Sequence, residues 1–313
     1  MPFRYRDPVV STIAHLSGSL LKGKDEAIRL AMIAILSGGH LLVEDIPGLG
    51  KTTLALALSE VLGLSFGRIQ CTSDLLPSDI TGLSIYDRTS GAFRFIPGPI
   101  FNQIVLVDEI NRAMPKTQSA LLEAMEEGRV TVEGVTRPLP TPFLVIATQN
   151  PLEQAGTYPL PESQMDRFLI RTGIGYPPPG VEKEIIREGG IRESLAGVTP
   201  SLDGETIIAA RREITASVTI APILIDYLHR IMTESRRHPE VAAGISTRGG
   251  IGLAAAARVH AWLDGRDYVI PEDIRRIAPA VLSHRLLLRG GAGSGGQEGI
   301  LRAILDAIPV PTG

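Results

Sequence analysis

The sequence predicts an α/β fold, a parallel sheet flanked by helices, followed by an all-helical C-terminal region, and three observations predict it. The apolar run Leu41-Leu42-Val43 passes through Glu44-Asp45-Ile46-Pro47-Gly48-Leu49-Gly50 into Lys51-Thr52-Thr53-Leu54-Ala55-Leu56, which reads as strand, tight loop and helix N-terminus. Two more apolar runs, at 104–107 and 143–148, lead into the polar pairs Asp108-Glu109 and Gln149-Asn150, as buried parallel strands do where their C-terminal ends meet solvent. From Val181 onward the pattern is nearly all helical.

The chain opens on a mixed segment. Over 24–36, Ile28, Ala31, Ile35 and Leu36 recur at helical spacing, and Ser37-Gly38-Gly39 ends the helix. A first strand, 40–44, precedes the loop, and the helix from Lys51 runs to a stop at Gly63. Residues 66–70 form a second strand. Past Pro77, the β-like pieces 83–86 and 92–96 flank Asp87-Arg88-Thr89-Ser90-Gly91 as a hairpin. Pro115 opens a helix that stops at Gly128, and 129–133 with 135–139 make a second hairpin around Glu133-Gly134. Residues 169–173 close the sheet, and Tyr176-Pro177-Pro178-Pro179-Gly180 is a stiff linker. Helices are expected at 181–188, 202–213, 221–235, 248–263, 271–288 and 297–307, with a low-complexity stretch at 290–296.

The loop after the first strand is a candidate phosphate-binding loop, with Pro47, Gly48, Leu49, Gly50, Lys51, Thr52 and Thr53 as its binding set. Proline and the glycines let the backbone curl so that N–H groups point inward, and the helix dipole adds positive character where an anion would sit. Lys51 would reach β- and γ-phosphates and Thr52 would offer its hydroxyl to Mg²⁺. The pattern G-x-x-x-x-G-K-[ST] has glycine where this chain has Asp45, a departure of one residue. Asp108, ending its strand, would join Thr52 around Mg²⁺, and Glu109 would orient and polarise an attacking water. Asn150 would sit level with both if the strands are parallel.

Composition narrows the classes. A formal net charge of −3 gives no general attraction to nucleic acid or anionic lipid. Cys71 is the single cysteine in 313 residues, so no disulfide framework forms within the chain and a reducing, cytoplasmic setting is expected. No apolar run approaches the roughly 20 residues of a membrane span, and residues 1–20, carrying Arg4, Arg6, Asp7 and His15, do not read as a signal peptide. His15, His40, His229, His238, His260 and His284 lack metal-ligand spacing. Arg236-Arg237-His238 and Arg275-Arg276 have no interleaved aromatics, so solvated helix faces explain them better than a nucleic-acid groove.

Five blocks in order carry a family resemblance: Pro47-Gly48-Leu49-Gly50-Lys51-Thr52, Asp108-Glu109-Ile110-Asn111-Arg112-Ala113, Ala120-Leu121-Leu122-Glu123-Ala124-Met125-Glu126-Glu127, Ala147-Thr148-Gln149-Asn150-Pro151 and Asp166-Arg167-Phe168. Together they resemble the MoxR branch of AAA+ ATPases, and Ser246-Thr247-Arg248 with Pro271-Glu272-Asp273 extend the match. The resemblance implies a three-layer P-loop AAA+ domain with two hairpin insertions over 1–176, a helical lid over 177–313, and a homo-oligomeric ring, commonly a hexamer, with ATP between neighbours. It implies the phosphate and Mg²⁺ roles for Lys51, Thr52 and Asp108, the water for Glu109, the first sensor for Asn150 and the second for Arg248. Arg167 matches the arginine finger, with Arg171, Arg129 and Arg112 as rivals, and a plain ion pair to Asp166 or Glu162 as the simpler reading. Leu21 and Lys22 occupy the position where the adenine edge is read, although Gly23 could equally be a turn before a helix.

Three functions remain open at this stage. One is an ATP-driven chaperone or remodeller that matures partners, including proteins with a von Willebrand factor A domain, and works through the two hairpins. Another is a motor subunit for metal insertion, like the magnesium chelatases. The third is a nucleotide-dependent assembly switch that scarcely hydrolyses ATP, against which Glu109 and Asn150 argue, because a pure binder has no water to place.

Overall fold

The structure, a computed structural model, describes residues 3–151, 156–189, 195, 197–290 and 294–311. Strands β1 (Leu41–Glu44), β2 (Phe66–Gln70), β3 (Gly82–Asp87), β4 (Ala92–Pro97), β5 (Ile104–Asp108), β6 (Arg129–Val132), β7 (Val135–Pro138), β8 (Leu144–Gln149) and β9 (Ile170–Thr172) follow in chain order. Five make one parallel sheet in the order β2-β5-β8-β1-β9. The β3–β4 and β6–β7 pairs are antiparallel hairpins, as their sequences predict. Glu133 and Gly134 both take positive φ, 52° and 77°, the conformation that lets a two-residue turn follow the twist of its strands.

Alternation along the buried strands explains the layering. Leu41, Val43, Ile104, Leu106, Leu144 and Ile146 enter one apolar core, whereas Leu42, Val105, Val107, Val145 and Ala147 enter another on the opposite face. Successive side chains of a strand point to opposite sides, so strands apolar at every position need cover on both. The first core is covered by the helices Asp25–Ser37 and Lys51–Val61, the second by Pro115–Glu127.

Beyond the sheet the chain is helical over Pro179–Glu188, Gly204–Ser217, Pro222–Arg237, Thr247–Leu263, Pro271–Leu282 and Ser294–Ala307. Ile207, Ala210 and Ile214 belong to the same continuous core as Ile28, Ala31 and Ile35. The C-terminal helices therefore dock on the helix that precedes the loop.

Four expectations need correction. The opening segment is not irregular: Arg6–His15 is a helix that runs on through a π-helical turn, Leu16–Leu20. It buries Val9, Thr12, Leu16 and Leu20, and its Arg6 donates to the carbonyls of Trp262 (3.0 Å) and Leu263 (2.9 Å) at a helix end. A polar residue on the buried stripe and the Ser17-Gly18-Ser19 run hid the period. The helix expected over 271–288 stops at Leu282, and Leu287–Leu288 pairs instead with Val241–Ala243. The turn is held because His284 Nε2 (3.0 Å) and Arg285 Nη2 (2.8 Å) both donate to the Phe168 carbonyl, contacts that local periodicity cannot register. Pro179 and Gly180, read as linker, form the first turn of the following helix, where proline's missing N–H costs nothing. Of the stretch read as low-complexity, Ser294 to Gly296 are helical, and 291–293 lie outside the described residues.

His40, just ahead of β1, is buried with Nδ1 accepting from Val145 N (3.0 Å) and Nε2 3.2 Å from the Met125 carbonyl. Burial drives its pKa down from the usual 6.5 to about 4. The folded chain thus refuses a proton that the unfolded chain accepts in that window. Its stabilising effect is whole above pH 6.5 and is lost as pH falls toward 4, about 3 kcal/mol at most on a linkage estimate. In His40→Gln, the slope of unfolding free energy against pH in urea titrations between those limits should fall by about 1 kcal/mol per pH unit.

Candidate functional site

The register of the sheet assembles the site. Gln70 pairs with Asp108, Val107 with Ala147, and Val43 and Glu44 with Thr148 and Gln149. The C-terminal ends of β2, β5, β8 and β1 therefore lie along one edge, and the loop leaves β1 there. Pro47, Gly48, Gly50, Lys51, Thr52 and Thr53 face Asp108, Glu109, Thr148 and Asn150 across a cavity of about 330 Å³.

The loop's shape needs its glycines for conformation. Gly48 and Gly50 have φ of 88° and 96°, and a Cβ on either would meet nothing within 4 Å. An L side chain there is excluded by backbone strain, not crowding. Gly50 precedes the helix Lys51–Val61, whose N-terminus has no side-chain cap, leaving its first N–H groups for an anion. Lys51 Nζ donates to the carbonyl of Asp45 and, at 3.4 Å, to that of Gln149. Burial lowers its pKa from the ordinary lysine value, while Asp45, Asp108 and Glu109 pull the other way.

Opposite the lysine, Asp108 is buried and Glu109 takes a left-handed φ of 57°. Thr148 links them: its hydroxyl accepts from Glu109 N (2.9 Å) and lies 3.4 Å from Asp108 Oδ1. Arg68 Nε donates to Asp108 Oδ2 (2.8 Å), and Glu109 Oε2 takes Arg112 Nε (3.1 Å) and Gln70 Nε2 (3.3 Å). Arg68 and Gln70 line the cavity too and were missed in the sequence reading. The available signal was two polar residues at period two in β2, on the same face of the strand. Cys71 is buried beside the two carboxylates, and burial first, then their charge, pushes its thiol up to about 12. It is no nucleophile at neutral pH. The Thr52 hydroxyl and the Asp108 carboxylate face one cavity as hard oxygen donors, a set that fits Mg²⁺.

A second, more apolar cavity of about 490 Å³ shares Pro47, Gly48, Gly50 and Thr53 with the first, so the two wrap one loop. Leu21 and Lys22 line it, with Leu49, Ile174, Tyr176 and Ile185. Leu21 reaches this wall because the π-helical turn donates its N–H to Leu16 O (2.7 Å) and sets the chain's exit.

Arg167 and Arg248 line neither cavity. They meet on one carboxylate, Glu126, with Arg167 Nε at 3.1 Å and Arg248 Nη2 on the other oxygen. The Arg248 hydrogen bond lowers the Glu126 pKa. Arg167 thus has an ion pair, though not to Asp166 or Glu162. Asp166 is held by Arg285 (3.3 Å) and the Ser246 hydroxyl (3.2 Å). Of the rival fingers, Arg171 pairs with Glu44 (3.3 Å), Arg129 with Glu127 (3.0 Å) and Arg112 with Glu109.

Comparison with known proteins matches this arrangement along its length. The family model "ATPase family associated with various cellular activities (AAA)" matches residues 40–170, and the AAA lid domain model matches residues 233–302. The uncharacterized protein YeaC of Bacillus subtilis is 46% identical over 96% of this chain and 93% of its own. Chaperone MoxR1 of Mycobacterium tuberculosis is 40% identical over 93% of this chain and 80% of its own. A crystal structure of a Cytophaga hutchinsonii protein superposes with a TM-score of 0.88 at 38% identity, covering 98% of this chain and 96% of that one. Similarity at this level through sheet, loop and C-terminal helices alike places the chain in the MoxR family of AAA+ ATPases.

Proposed function

We propose that the protein hydrolyses ATP in the bipartite cavity around the 47–53 loop and uses the cycle, in a ring of like subunits, to remodel a partner protein. The observation that carries this reading is the meeting of Lys51, Asp108, Glu109 and Asn150 at one polar cavity, next to an apolar one large enough for a nucleoside. Phosphoryl transfer leaves little covalent work to a protein, so charge and position around the γ-phosphate carry the catalysis.

Lys51, anchored on two carbonyls, offers its ammonium to the β- and γ-oxygens, with the loop N–H groups from Gly48 to Thr53 alongside. Thr52 and Asp108 would hold Mg²⁺, which when bound would supply positive charge to offset that of the phosphates. Glu109 orients the attacking water, its backbone fixed by Thr148 and its carboxylate steadied by Gln70 and Arg112. Asn150 senses the γ-phosphate from the same edge, and Leu21 and Lys22 border the base. Arg167 and Arg248, which lie outside the cavity of their own chain, act on the nucleotide of a neighbour once Glu126 releases them. In this reading residues 1–176 form the nucleotide-binding domain and 177–313 the lid, in a hexameric ring.

The β3–β4 hairpin is the surface for the partner. Ile85, Tyr86 and Phe93 are exposed, Phe93 by 74%, and Tyr86 packs edge-on against Phe93 with ring centroids 5.4 Å apart. Partners with a von Willebrand factor A domain are the class to test first.

Glu109→Gln should keep ATP affinity within about threefold and lower single-turnover hydrolysis on the order of 10²-fold or more; unchanged turnover would overturn the water role. Arg167→Ala should lose on the order of 10³-fold in turnover. Mixing it with Glu109→Gln should recover part of the activity, because each variant supplies the group the other lacks. No recovery would place the finger elsewhere. Proteins retained by Glu109→Gln under ATP should be lost when Tyr86→Ser and Phe93→Ser are added, with the melting temperature unchanged.

A further inference from the structure

Asp45 stands where the phosphate-loop pattern has glycine, and in the fold each of its polar atoms is engaged. Its N–H donates to Gln149 O (3.2 Å) and its carbonyl accepts from Lys51 Nζ. Oδ1 accepts from Ile46 N (2.9 Å). Oδ2 accepts from two successive amides of another segment, Ile174 N (2.8 Å) and Gly175 N (2.7 Å).

That segment leaves β9, whose parallel pairing with β1 ends at Val43 and Thr172. The Asp45 side chain continues the connection past the last ladder pair, where the two strands would otherwise part. Gly173, between the last ladder pair and the two amides, lies beside the carboxylate, where a Cβ would only come into van der Waals contact with Oδ2 at 3.4 Å. Lys24 secures the far side by donating to Gly175 O. What the carboxylate holds is one wall of the apolar cavity: Ile174 and Tyr176 face Gly48, Leu49 and Gly50 across it. A glycine at 45 would release that wall, and within the loop it would take away only the acceptor of the Ile46 amide.

We propose that Asp45 is a positioning residue for the nucleoside. It ties the loop that takes the phosphates to the wall that takes the base, so that nucleobase selection depends on it while recognition of the phosphate chain does not. The proposal rests on reading the cavity as the ATP site. Three charge-assisted hydrogen bonds are at stake, two of them to the wall, each stronger than a neutral one. The wall's two amides lose their acceptor together.

Asp45→Gly supplies the pattern's own residue, and Asp45→Asn keeps an oxygen that both amides can use. In Asp45→Gly the KM for ATP should rise on the order of tenfold, with kcat within about twofold and the preference for ATP over GTP reduced at least about threefold. Competitive inhibition by tripolyphosphate, which has no base, should stay within about twofold. Amide exchange at Ile174 and Gly175 in the nucleotide-free protein should quicken on the order of tenfold. Asp45→Asn should restore most of each change. Equal loss of ATP and tripolyphosphate affinity in Asp45→Gly would mean that the carboxylate only props the loop, and overturns the proposal. Exchange at the two amides that is the same in Asp45→Gly as in the wild type overturns it as well, without any nucleotide. Wild-type protein that neither binds nor turns over ATP would instead overturn the function proposed above, while the exchange arm still reports on the tether.

Discussion

Parallel pairing in register, β5 against β8 and β8 against β1, is the constraint on which the rest depends. Leu41, Leu42, Val43, Ile104, Val105, Leu106 and Val107 are fully buried. A slip of one residue would turn each strand's side chains to the other face, but here both faces are apolar, so side-chain pattern alone does not fix the register. Polar residues at the strand ends do that work. Glu44 accepts from Gln149 Nε2, Thr148 joins Asp108 to Glu109, and Asp45 N meets Gln149 O. A slipped strand would bury a carboxylate without a partner, which costs far more than a lost packing contact.

The same contacts make the strand ends one network. Glu44, last in β1, takes the Arg171 guanidinium at 3.3 Å, and Arg171 also reaches Gln297 at 3.0 Å on the final helix. Burial lowers the Arg171 pKa, with Glu44 and then Glu298 opposing. A path of hydrogen bonds thus joins the edge that carries Asn150 to the last helix of the chain.

Attachment of those helices has a second anchor at 166–168. The Phe168 carbonyl accepts from His284 and Arg285, and Asp166 accepts from Arg285 and Ser246. Burial holds His284 well below the usual histidine pKa, so it docks neutral, and the Arg285 guanidinium is pushed down to about 10 by burial. Glu126 gathers Arg167 and Arg248 nearby, one on each carboxylate oxygen. In the proposed ring they are the groups a neighbour would draw away.

Much of this was legible in the residues. The sheet strands, the loop, both hairpins and the candidate set from Lys51 to Asn150 follow from apolar runs, turn residues and the punctuation at strand ends, because these properties are local. The N-terminal helix, the early stop at Leu282 and the part played by Arg68 and Gln70 were not, since each depends on partners far along the chain. Asp45 shows the boundary between the two. Its identity marks a departure from a loop pattern, and only folding brings residues 174 and 175 against its carboxylate. Sequence by itself determined which backbone could curl and which side chains carry charge, as intrinsic conformational preference and ionisation travel with the residue. Tertiary structure alone decided which charges meet, because an ion pair is set by distance in space, and a chain of this length brings distant residues together only when its core has closed.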